Sequence, residues 1–489
     1  RDVIAKRRDN PRAHNNLGKA LYFEGKYDAQ GKFGPPTPGL FRRKLEEGIP
    51  EYLKAIELKA DYDDPHYNLG VSQATLGNPA VAIEHYRNAL EINPDMVQAM
   101  NNLGGLFNAQ GKQAEEAALF IKAQGKQAEA AALFIKAQGK HAEAAALFIK
   151  AIELSPTYVS AYDGLATALG SLGQNDAAER YLRAALERDP LFAYLHYHLG
   201  LILAKQAKRD EAVVEFNKAL ELQPGMHTAR FQLGVLMVNM GQTNAALAHF
   251  YEVVGAIPNH GKAHFNLGLL QVNRKNIPQA IQHYRKAARA MPNHVVAHYT
   301  LGVLLARTGD VSGAIQHLAR VTKLAPGHAQ AHHELGGLLK AAGNLRGARD
   351  HYKRAIAIKG DLAEAHNDLG VLLIAMGQDM QALAYHNTAL EYRPTNLIMI
   401  NNLARLLATS RDSRVRNGRK AVKLAEMICR LTNNRQPVML STLAAAYAEM
   451  GRFGEALTAI QLAINIALRG QNDPLAGMFQ ALTQNDTLL

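Results

Sequence analysis

The 489-residue sequence has no Trp, a single Cys and no apolar run of about 18 residues. The single cysteine, Cys429, excludes an intramolecular disulfide and any zinc or iron–sulfur site built from cysteines. Because no long apolar segment follows Arg1 and Asp2, we predict neither a membrane-spanning helix nor a secretory signal. The sequence begins at Arg1 rather than Met, so what precedes it and the cellular compartment both stay open.

Aromatic residues make up only 7 % of the chain, yet 48 % of the residues are hydrophobic, which excludes a disordered polymer. The 18 Pro and 39 Gly are too few for a collagen-like chain. A chain of this length is roughly two to four times a typical domain, which indicates several cores or one long array of repeats.

Charge is uneven along the chain. The net charge is +12, and nine basic residues stand against two acidic ones between Arg405 and Arg435, so +7 of the total lies there. We expect any electrostatic contact to use this basic patch, whose central members are Arg411, Arg414, Arg416, Arg419, Lys420 and Lys423.

A leucine followed by Gly or Ala recurs along almost the whole chain, and seven successive intervals are 34 residues long. The repeat leucines are Leu17, Leu69, Leu103, Leu165, Leu199, Leu233, Leu267, Leu301, Leu335, Leu369, Leu403 and Leu443. Positions are given below as offsets from the repeat leucine. In most repeats a Gly stands at offset +8, an Ala at +13 and a Pro at −9.

Each of these positions has a role in a pair of antiparallel helices. The Gly next to the repeat leucine, as in Gly234, lets two helix backbones approach closely. The Gly at offset +8 ends the first helix, because Gly adopts the left-handed conformation at low cost. The Pro ends the second helix and begins the turn into the next repeat.

This pattern resembles the tetratricopeptide repeat (TPR) family. The resemblance implies an all-α fold, a right-handed α-solenoid of about twelve stacked helix pairs with a concave groove. No segment is left over for a globular catalytic domain. We therefore expect no enzyme activity, no catalytic residue and no cofactor.

Departures from the period divide the chain. We expect N-terminal repeats over residues 1–108, with a Pro/Gly-rich loop inserted at about 29–46, followed by three near-identical 14-residue helical units over 109–150. A regular array follows over 151–404. The C-terminal repeats over 405–489 carry the basic insertion and end in a capping helix. The 14-residue units favour one extra short helix pair, and one long helix is the alternative.

The 20 histidines are the remaining candidates for chemistry. Pairs four residues apart, such as His260 with His264, offer two metal ligands without a carboxylate partner. A histidine packed between helices explains the same periodicity, so we expect no metal site.

In the TPR family the residue just before the repeat leucine faces the concave groove. Here that series is polar and partly an asparagine ladder: Asn16, Asn68, Asn102, Gly164, His198, Gln232, Asn266, Thr300, Glu334, Asp368 and Asn402. Asn offers both a donor and an acceptor, so a row of Asn side chains can hold the backbone of an extended polypeptide. In this respect the array resembles the TPR region of O-linked N-acetylglucosamine transferases, and we expect the ladder, apart from Gly164, to form a peptide groove.

Four functions remain open. We expect first a non-catalytic scaffold that binds other proteins or peptides in its groove. The two ends of the chain also resemble TPR tails that follow mannosyltransferase-like membrane glycosyltransferases in bacteria, so the second function is the soluble, substrate-recruiting tail of such an enzyme. This resemblance favours a bacterial source and leaves both cytoplasmic and extracytoplasmic locations open. Self-association of the solenoid is a further alternative. Binding of nucleic acid or an anionic membrane surface through Arg405 to Arg435 ranks last, because no aromatic residues are interleaved with the basic patch.

Overall fold

The computed structural model describes residues 9–26, 38–123 and 127–469. Within these ranges the chain forms 24 α-helices and no strand. The first twelve are α1 Pro11–Lys26, α2 Pro38–Leu58, α3 Asp63–Thr75, α4 Pro79–Ile92, α5 Val97–Ala123, α6 Gln127–Leu154, α7 Val159–Ser171, α8 Asn175–Arg188, α9 Ala193–Lys205, α10 Arg209–Leu222, α11 His227–Asn239 and α12 Thr243–Ala256. The others are α13 Gly261–Asn273, α14 Ile277–Ala290, α15 Val295–Arg307, α16 Val311–Leu324, α17 Ala329–Ala341, α18 Leu345–Ile358, α19 Ala363–Ala375, α20 Asp379–Tyr392, α21 Leu397–Thr409, α22 Gly418–Leu431, α23 Pro437–Glu449 and α24 Phe453–Arg469.

Odd-numbered helices carry the repeat leucine and are the first helices of the repeats; even-numbered helices are the second helices. The turn between them forms where the sequence predicts it. Seven glycines at offset +8 have positive φ angles, for example 87° at Gly77 and 74° at Gly241, whereas Gly25 and Gly111 at the same offset lie inside α1 and α5. Ala207 and Lys275 occupy the same offset with φ angles of 61° and 59°. The turn geometry is therefore kept even where the glycine is missing.

Small residues set the distance between the two helices of a repeat. A Cβ atom added to Gly234 would lie 2.8 Å from the ring of Phe250, and one added to Gly336 would lie 2.7 Å from the ring of Tyr352. Each ring comes from the second helix, at offset +17, and is fully buried. The Ala at offset +13, such as Ala246, is fully buried as well. Glycine and ring together fill the space between the helices, as expected for close packing.

The chain divides into two compact units, residues 1–270 and 271–489. In the first unit one continuous apolar cluster runs from Ala82 to Leu270. In the second unit one cluster joins Ala348 to Leu406 and Val415, and another runs from Leu403 to Ala463. Each unit is thus a stack of helix pairs that bury their apolar faces against their neighbours, and the predicted all-α solenoid is confirmed.

The three 14-residue units do not form an extra short helix pair, and they do not form one long helix either. The first unit lengthens α5 to 27 residues, and the next two continue into α6, which has 28. These two helices pack along each other. Fourteen residues are close to four helical turns, so each helix gains a segment that presents the same face. Gly125 lies outside the described residues, and Gly139 lies inside α6.

The loop expected at about 29–46 is also corrected in part. Residues 29–37 lie outside the described residues, but 38–46 are helical, because α2 begins at Pro38. Proline is tolerated at the first helical position, where its missing N–H would have no partner within the helix. The expected capping helix over residues 472–489 lies outside the described residues.

A candidate peptide-binding face on the first helices

Side chains at offsets −5, −1 and +2 lie on one face of each first helix, because they are four and then three residues apart. We call this the groove face. The ten polar ladder residues are on it: Asn16 is exposed and the other nine are half-buried. Gly164, the glycine in the series, packs against the ring of Phe148.

Ladder residues bind side chains at offset −2 of the preceding repeat. The Nδ2 atom of Asn68 donates to Oδ1 of Asn15 over 2.9 Å, and that of Asn402 donates to Oδ1 of Asn367 over 3.0 Å. Each bond joins offset −1 of one repeat to offset −2 of the preceding repeat. The ladder therefore connects the repeats to one another, a role that the sequence analysis did not anticipate.

The same connection recurs with other residue types. Nε2 of His333 and Oδ2 of Asp368 are 2.8 Å apart, and the ring of His198 binds the carboxylate of Asp163 through Nδ1. The ring of His333 is half-buried, and the contact with Asp368 raises its pKa against the opposing effect of burial. Asn102 donates from Nδ2 to the hydroxyls of Tyr67 and Tyr86, both at 3.4 Å, and Gln232 is hydrogen-bonded to Tyr197. A polar residue at offset −2 was the signal in the sequence for this pairing.

Two ladder residues instead contact their own helix. Asn266 donates to the backbone carbonyl of Lys262, and Glu334 accepts from Gln330. Thr300 is half-buried on the same face. Within each unit the ladder residues thus occupy the same face of their first helices, but they differ in their hydrogen-bond partners.

One part of the ladder has the residue types of a hydrolytic triad. Thr167 Oγ1 lies 3.5 Å from His198 Nε2, and Nδ1 of the same ring binds Asp163. The Thr167 hydroxyl, however, donates to the backbone carbonyl of Asp163 over 3.1 Å. Its proton is therefore directed away from the imidazole, and the arrangement lacks the activated nucleophile of a hydrolase.

Exposed apolar side chains share the groove face with the ladder. They stand at offset −5 and were not singled out from the sequence: Tyr194, Val296, Ile398 and Val438. Val296 is 53 % exposed and Ile398 is 65 % exposed. Their spacing from the ladder, four residues, would have revealed them.

A cavity of about 390 Å³ opens at the N-terminal end of this face. Four aromatic rings and two lysines are among its lining residues: Lys19, Tyr22, Phe23, Lys26, Tyr52, Tyr67, Asn68 and Val71. Apolar clefts of about this size with a few polar groups are typical of ligand sites.

Histidines four residues apart do not face each other as metal ligands. His260, His294 and His328 each accept, through Nδ1, the backbone N–H of the residue three positions later, which caps the following helix. Among the described residues no three His, Cys, Asp or Glu side chains come together as a metal site would require. Burial raises the pKa of the Cys429 thiol to about 11, so this thiol is protonated and inert at neutral pH.

The basic patch lies on the segment after α21 and on the first two turns of α22, and all six of its central residues are exposed. Arg414 binds Asp412 over 2.8 Å, and Nε of Arg416 lies 3.4 Å from Glu449 Oε1. The Arg414 side chain and backbone lower the pKa of the half-buried Asp412 to about 2. The remaining members, Arg411, Arg419, Lys420 and Lys423, present their charges to solvent.

Profile models described as tetratricopeptide repeat match residues 67–132, 164–227, 231–295, 272–335 and 437–461. Together they cover more than half of the chain. Among proteins of known function, the photosystem I assembly protein Ycf3 of Cyanophora paradoxa is 40 % identical over 73 residues, which are 14 % of this chain and 42 % of that protein. Ycf3 of Acaryochloris marina is 37 % identical over 75 residues, or 15 % and 45 %. The chain thus spans less than half the length of these curated relatives.

Solved TPR structures also align with parts of the chain. MamA from Desulfovibrio magneticus is 25 % identical with a TM-score of 0.32, and the alignment covers 35 % of this chain and 96 % of MamA. PilF of Pseudomonas aeruginosa is 20 % identical with a TM-score of 0.38, covering 42 % and 94 %. Over the described ranges, no helix is both long enough and apolar enough to cross a bilayer.

Proposed function

From the premise that the chain belongs to the tetratricopeptide repeat family, we propose that it binds extended polypeptide segments of other proteins along the groove face. The family and its relatives support a protein-interaction scaffold in general, and repeats of this kind are typically non-catalytic. The two Ycf3 relatives are photosystem I assembly proteins, and the proposal does not carry that partner over to this chain.

The exposed apolar residues at offset −5, next to the polar ladder, carry the proposal. When a partner covers a large apolar side chain such as Ile398, binding is stabilised by about 25 cal/mol per Å² of apolar surface removed from water. The ladder supplies hydrogen-bonding groups four residues away on the same helix. Apolar anchors beside polar groups on the same helix are suited to an extended chain, which presents side chains and backbone groups in alternation.

Ladder side chains keep hydrogen-bonding capacity after they have joined the repeats. An Asn side chain has two N–H donors and an acceptor oxygen. Asn402 uses one N–H on Asn367, which leaves the second N–H and the oxygen for a ligand. The inter-repeat bonds also fix the orientation of these amides before a ligand arrives, which lowers the entropic cost of binding.

The test compares two double variants that introduce the same charges at equal exposure. Val296→Glu with Ile398→Glu changes the groove face, and Val214→Glu with Leu457→Glu changes second helices; the paired exposures are 53 % with 50 % and 65 % with 69 %. Peptides selected from a random 12-residue phage library on the unmodified protein are synthesised as labelled probes, and their Kd is measured by fluorescence anisotropy.

We expect the groove-face variant to weaken binding at least tenfold, because a buried carboxylate without a partner is costly, and the second-helix variant to leave the Kd unchanged. Equal losses in both variants, or peptides whose binding neither variant alters, would contradict the proposal.

A further inference from the structure

In four repeats the residues at offset −3 on the first helix and offset +16 on the second are both histidine: His66 with His85, His264 with His283, His298 with His317 and His332 with His351. Three of these pairs make a direct contact between ring nitrogens. His298 and His317 approach with Nδ1 to Nδ1 over 2.9 Å, and so do His332 and His351. His66 and His85 do the same over 3.3 Å. In every pair the first-helix histidine is buried. Two of these contacts lie in consecutive repeats, on α15 to α18.

A ring nitrogen pair at 2.9 Å holds a single proton between the two atoms. The Nε2 atom of the first-helix ring faces the backbone carbonyl at offset −9, as in the 2.8 Å contact of His366 with Gly360 and the 3.0 Å contact of His196 with Pro190. Pro292 and Pro326 are at the corresponding position for His298 and His332 and act on the pKa values of these rings, but among the described residues Nε2 of both rings is buried without a hydrogen-bond partner. A neutral first-helix ring with its proton on Nε2 accepts at Nδ1 from the second-helix ring; with its proton on Nδ1 it donates instead, and either way one proton lies between the two rings.

Further protons oppose this arrangement. If the first-helix ring also took a proton on Nδ1, two N–H groups would point at each other. Around His298 and His317 the acting charges are Arg285, Arg320 and Asp310, with the His294 ring nearby, and Asp310 is already bound by Arg285 at 3.2 Å. Around His332 and His351 they are Arg354 and Asp350, with the His328 ring nearby. Asp350 is likewise bound by Arg349.

The same contact in other repeats shows what replaces the second histidine. In one repeat it is Glu215, whose Oε2 lies 2.6 Å from His196 Nδ1, and a protonated His196 can donate from both nitrogens there. In another repeat it is Tyr385, whose ring packs beside His366 with centroids 5.8 Å apart. Tyrosine does not titrate near neutral pH. The chain therefore contains one contact in three forms: His with His, His with Glu and His with Tyr.

We propose that the His298–His317 and His332–His351 pairs make α15 to α18 an acid-sensitive switch: at neutral pH each pair shares one proton, and uptake of further protons separates the two helices of each repeat. The proposal does not depend on the function proposed for the groove face.

The direction follows from proton linkage. Burial lowers the pKa of His298, His317 and His351, and burial with the neighbouring His351 lowers that of His332 to about 4. The unfolded pKa is about 6.5, so below that pH the open state binds more protons than the closed state. Stability is complete above about pH 7 and is lost as the pH falls towards 4. Opening increases about tenfold per pH unit for each extra proton bound.

The experiment is hydrogen exchange with mass spectrometry on the full chain at pH 7.5 and 5.0, with rates corrected for intrinsic exchange. Three proteins are compared: the unmodified protein, the double variant His317→Tyr with His351→Tyr, and the double variant His317→Glu with His351→Glu. The tyrosines copy the contact of His366, and the glutamates copy the contact of His196.

We expect peptides from residues 295–358 of the unmodified protein to lose protection at pH 5.0 relative to residues 363–392, where the same contact joins His366 to Tyr385. The tyrosine variant should lose at least tenfold less, and the glutamate variant should keep its protection or gain some. Equal loss in the unmodified and tyrosine proteins, or no loss in the unmodified protein, would overturn the proposal.

If a variant fails to fold, as judged by circular dichroism at pH 7.5, an NMR titration of the unmodified protein tests the proposal instead. In a ¹⁵N-histidine NMR titration the four rings should stay neutral below the ordinary histidine pKa and then change together as α15 to α18 open. Four independent titrations near the ordinary pKa, without opening, would overturn the proposal.

Discussion

The turn at offset +8 shows how a single residue position can be strained inside a regular array. Seven glycines there take positive φ angles, whereas Ala207 and Lys275 adopt the same conformation with a Cβ atom. The left-handed region costs an L residue roughly 1 kcal/mol or more. Packing of the flanking helices imposes the turn, so these residues accept the cost.

Replacing Ala207 or Lys275 by Gly is expected to raise the free energy of unfolding by up to about 1 kcal/mol, because relief of strain exceeds the added entropy of the unfolded chain. Urea unfolding followed by circular dichroism measures the change. The control is Ala204→Gly, three residues earlier and within α9, which should destabilise the protein by about 1 kcal/mol. A loss of stability in Ala207→Gly would show that the turn does not strain the alanine.

His386 is a second residue that the array tolerates at a cost. It occupies offset +17, where other repeats place Phe216, Phe250 or Tyr352, and it is fully buried against Gly370. Among the described residues neither ring nitrogen has a hydrogen-bond partner. Burial lowers its pKa to about 4, so the neutral ring is favoured in the folded state.

His386→Phe is therefore expected to raise the free energy of unfolding by about 1–3 kcal/mol at pH 7, the usual cost of a buried unpaired polar group. Between pH 6.5 and 4 the gain should grow, because the unfolded histidine takes up a proton that the folded one does not. Thermal unfolding at pH 7 and pH 5 measures both effects. A gain that shrinks at pH 5 would mean that the folded state accommodates a charged His386.

At the scale of elements, the long pair α5 and α6 is one repeat with both helices extended. The inserted length is shared between the two helices, so the flanking repeats stack as they would without it. Asn108 and His141 connect the two helices in the extension through a 3.1 Å hydrogen bond, next to Glu115. Gly111 packs against the His141 ring. The extension is thus a packed element rather than a loop.

Deleting residues 109–136 should convert this pair into an ordinary repeat. Ala137 would then follow Asn108, placing Gly139 at offset +8 and Ala144 at offset +13, with Leu165 exactly one 34-residue period after Leu103. We expect a folded protein in which Gly139 forms the turn, with 28 fewer helical residues by circular dichroism. Deleting residues 109–122 alone removes only one 14-residue unit, so the two helices of the pair no longer match in length, and this variant serves as the control. If the full deletion aggregated while this control stayed soluble, α5 and α6 would not be one repeat with both helices extended.

At the scale of the whole molecule, charge is the property least tied to the repeat. The net +12 is concentrated near the C-terminal end, and the patch around α22 places Arg419 and Lys420 in the first turn of a helix. Cations at a helix N-terminus are unfavourable by about 0.3–1 kcal/mol each. A charge arrangement that does not help the helix is consistent with a contact to an anionic partner.

Arg419→Glu with Lys423→Glu should lower the salt concentration that elutes the protein from heparin, because fewer counterions are released on binding. The control is Arg346→Glu with Lys353→Glu on α18, which makes the same change in net charge at exposed positions. An equal shift in both variants would mean that total charge, and not the patch, governs the interaction.

The 34-residue period determined most of this protein by itself. Leu, Gly, Ala and Pro at fixed offsets specify where each helix begins, ends and approaches its partner, since these are local requirements of backbone geometry and close packing. The polar ladder was also located correctly on the first helices, because its place follows from helical periodicity.

What the ladder and the histidines bind was decided only by tertiary structure. Asn68 meets Asn15 and His298 meets His317 because separate helices bring them together, and a single sequence carries no direct record of such contacts. The distribution of the 14-residue units between α5 and α6 could not be predicted for the same reason. The units are near-identical, so each would extend either helix equally well, and only the packing of α5 against α6 selects where the turn lies.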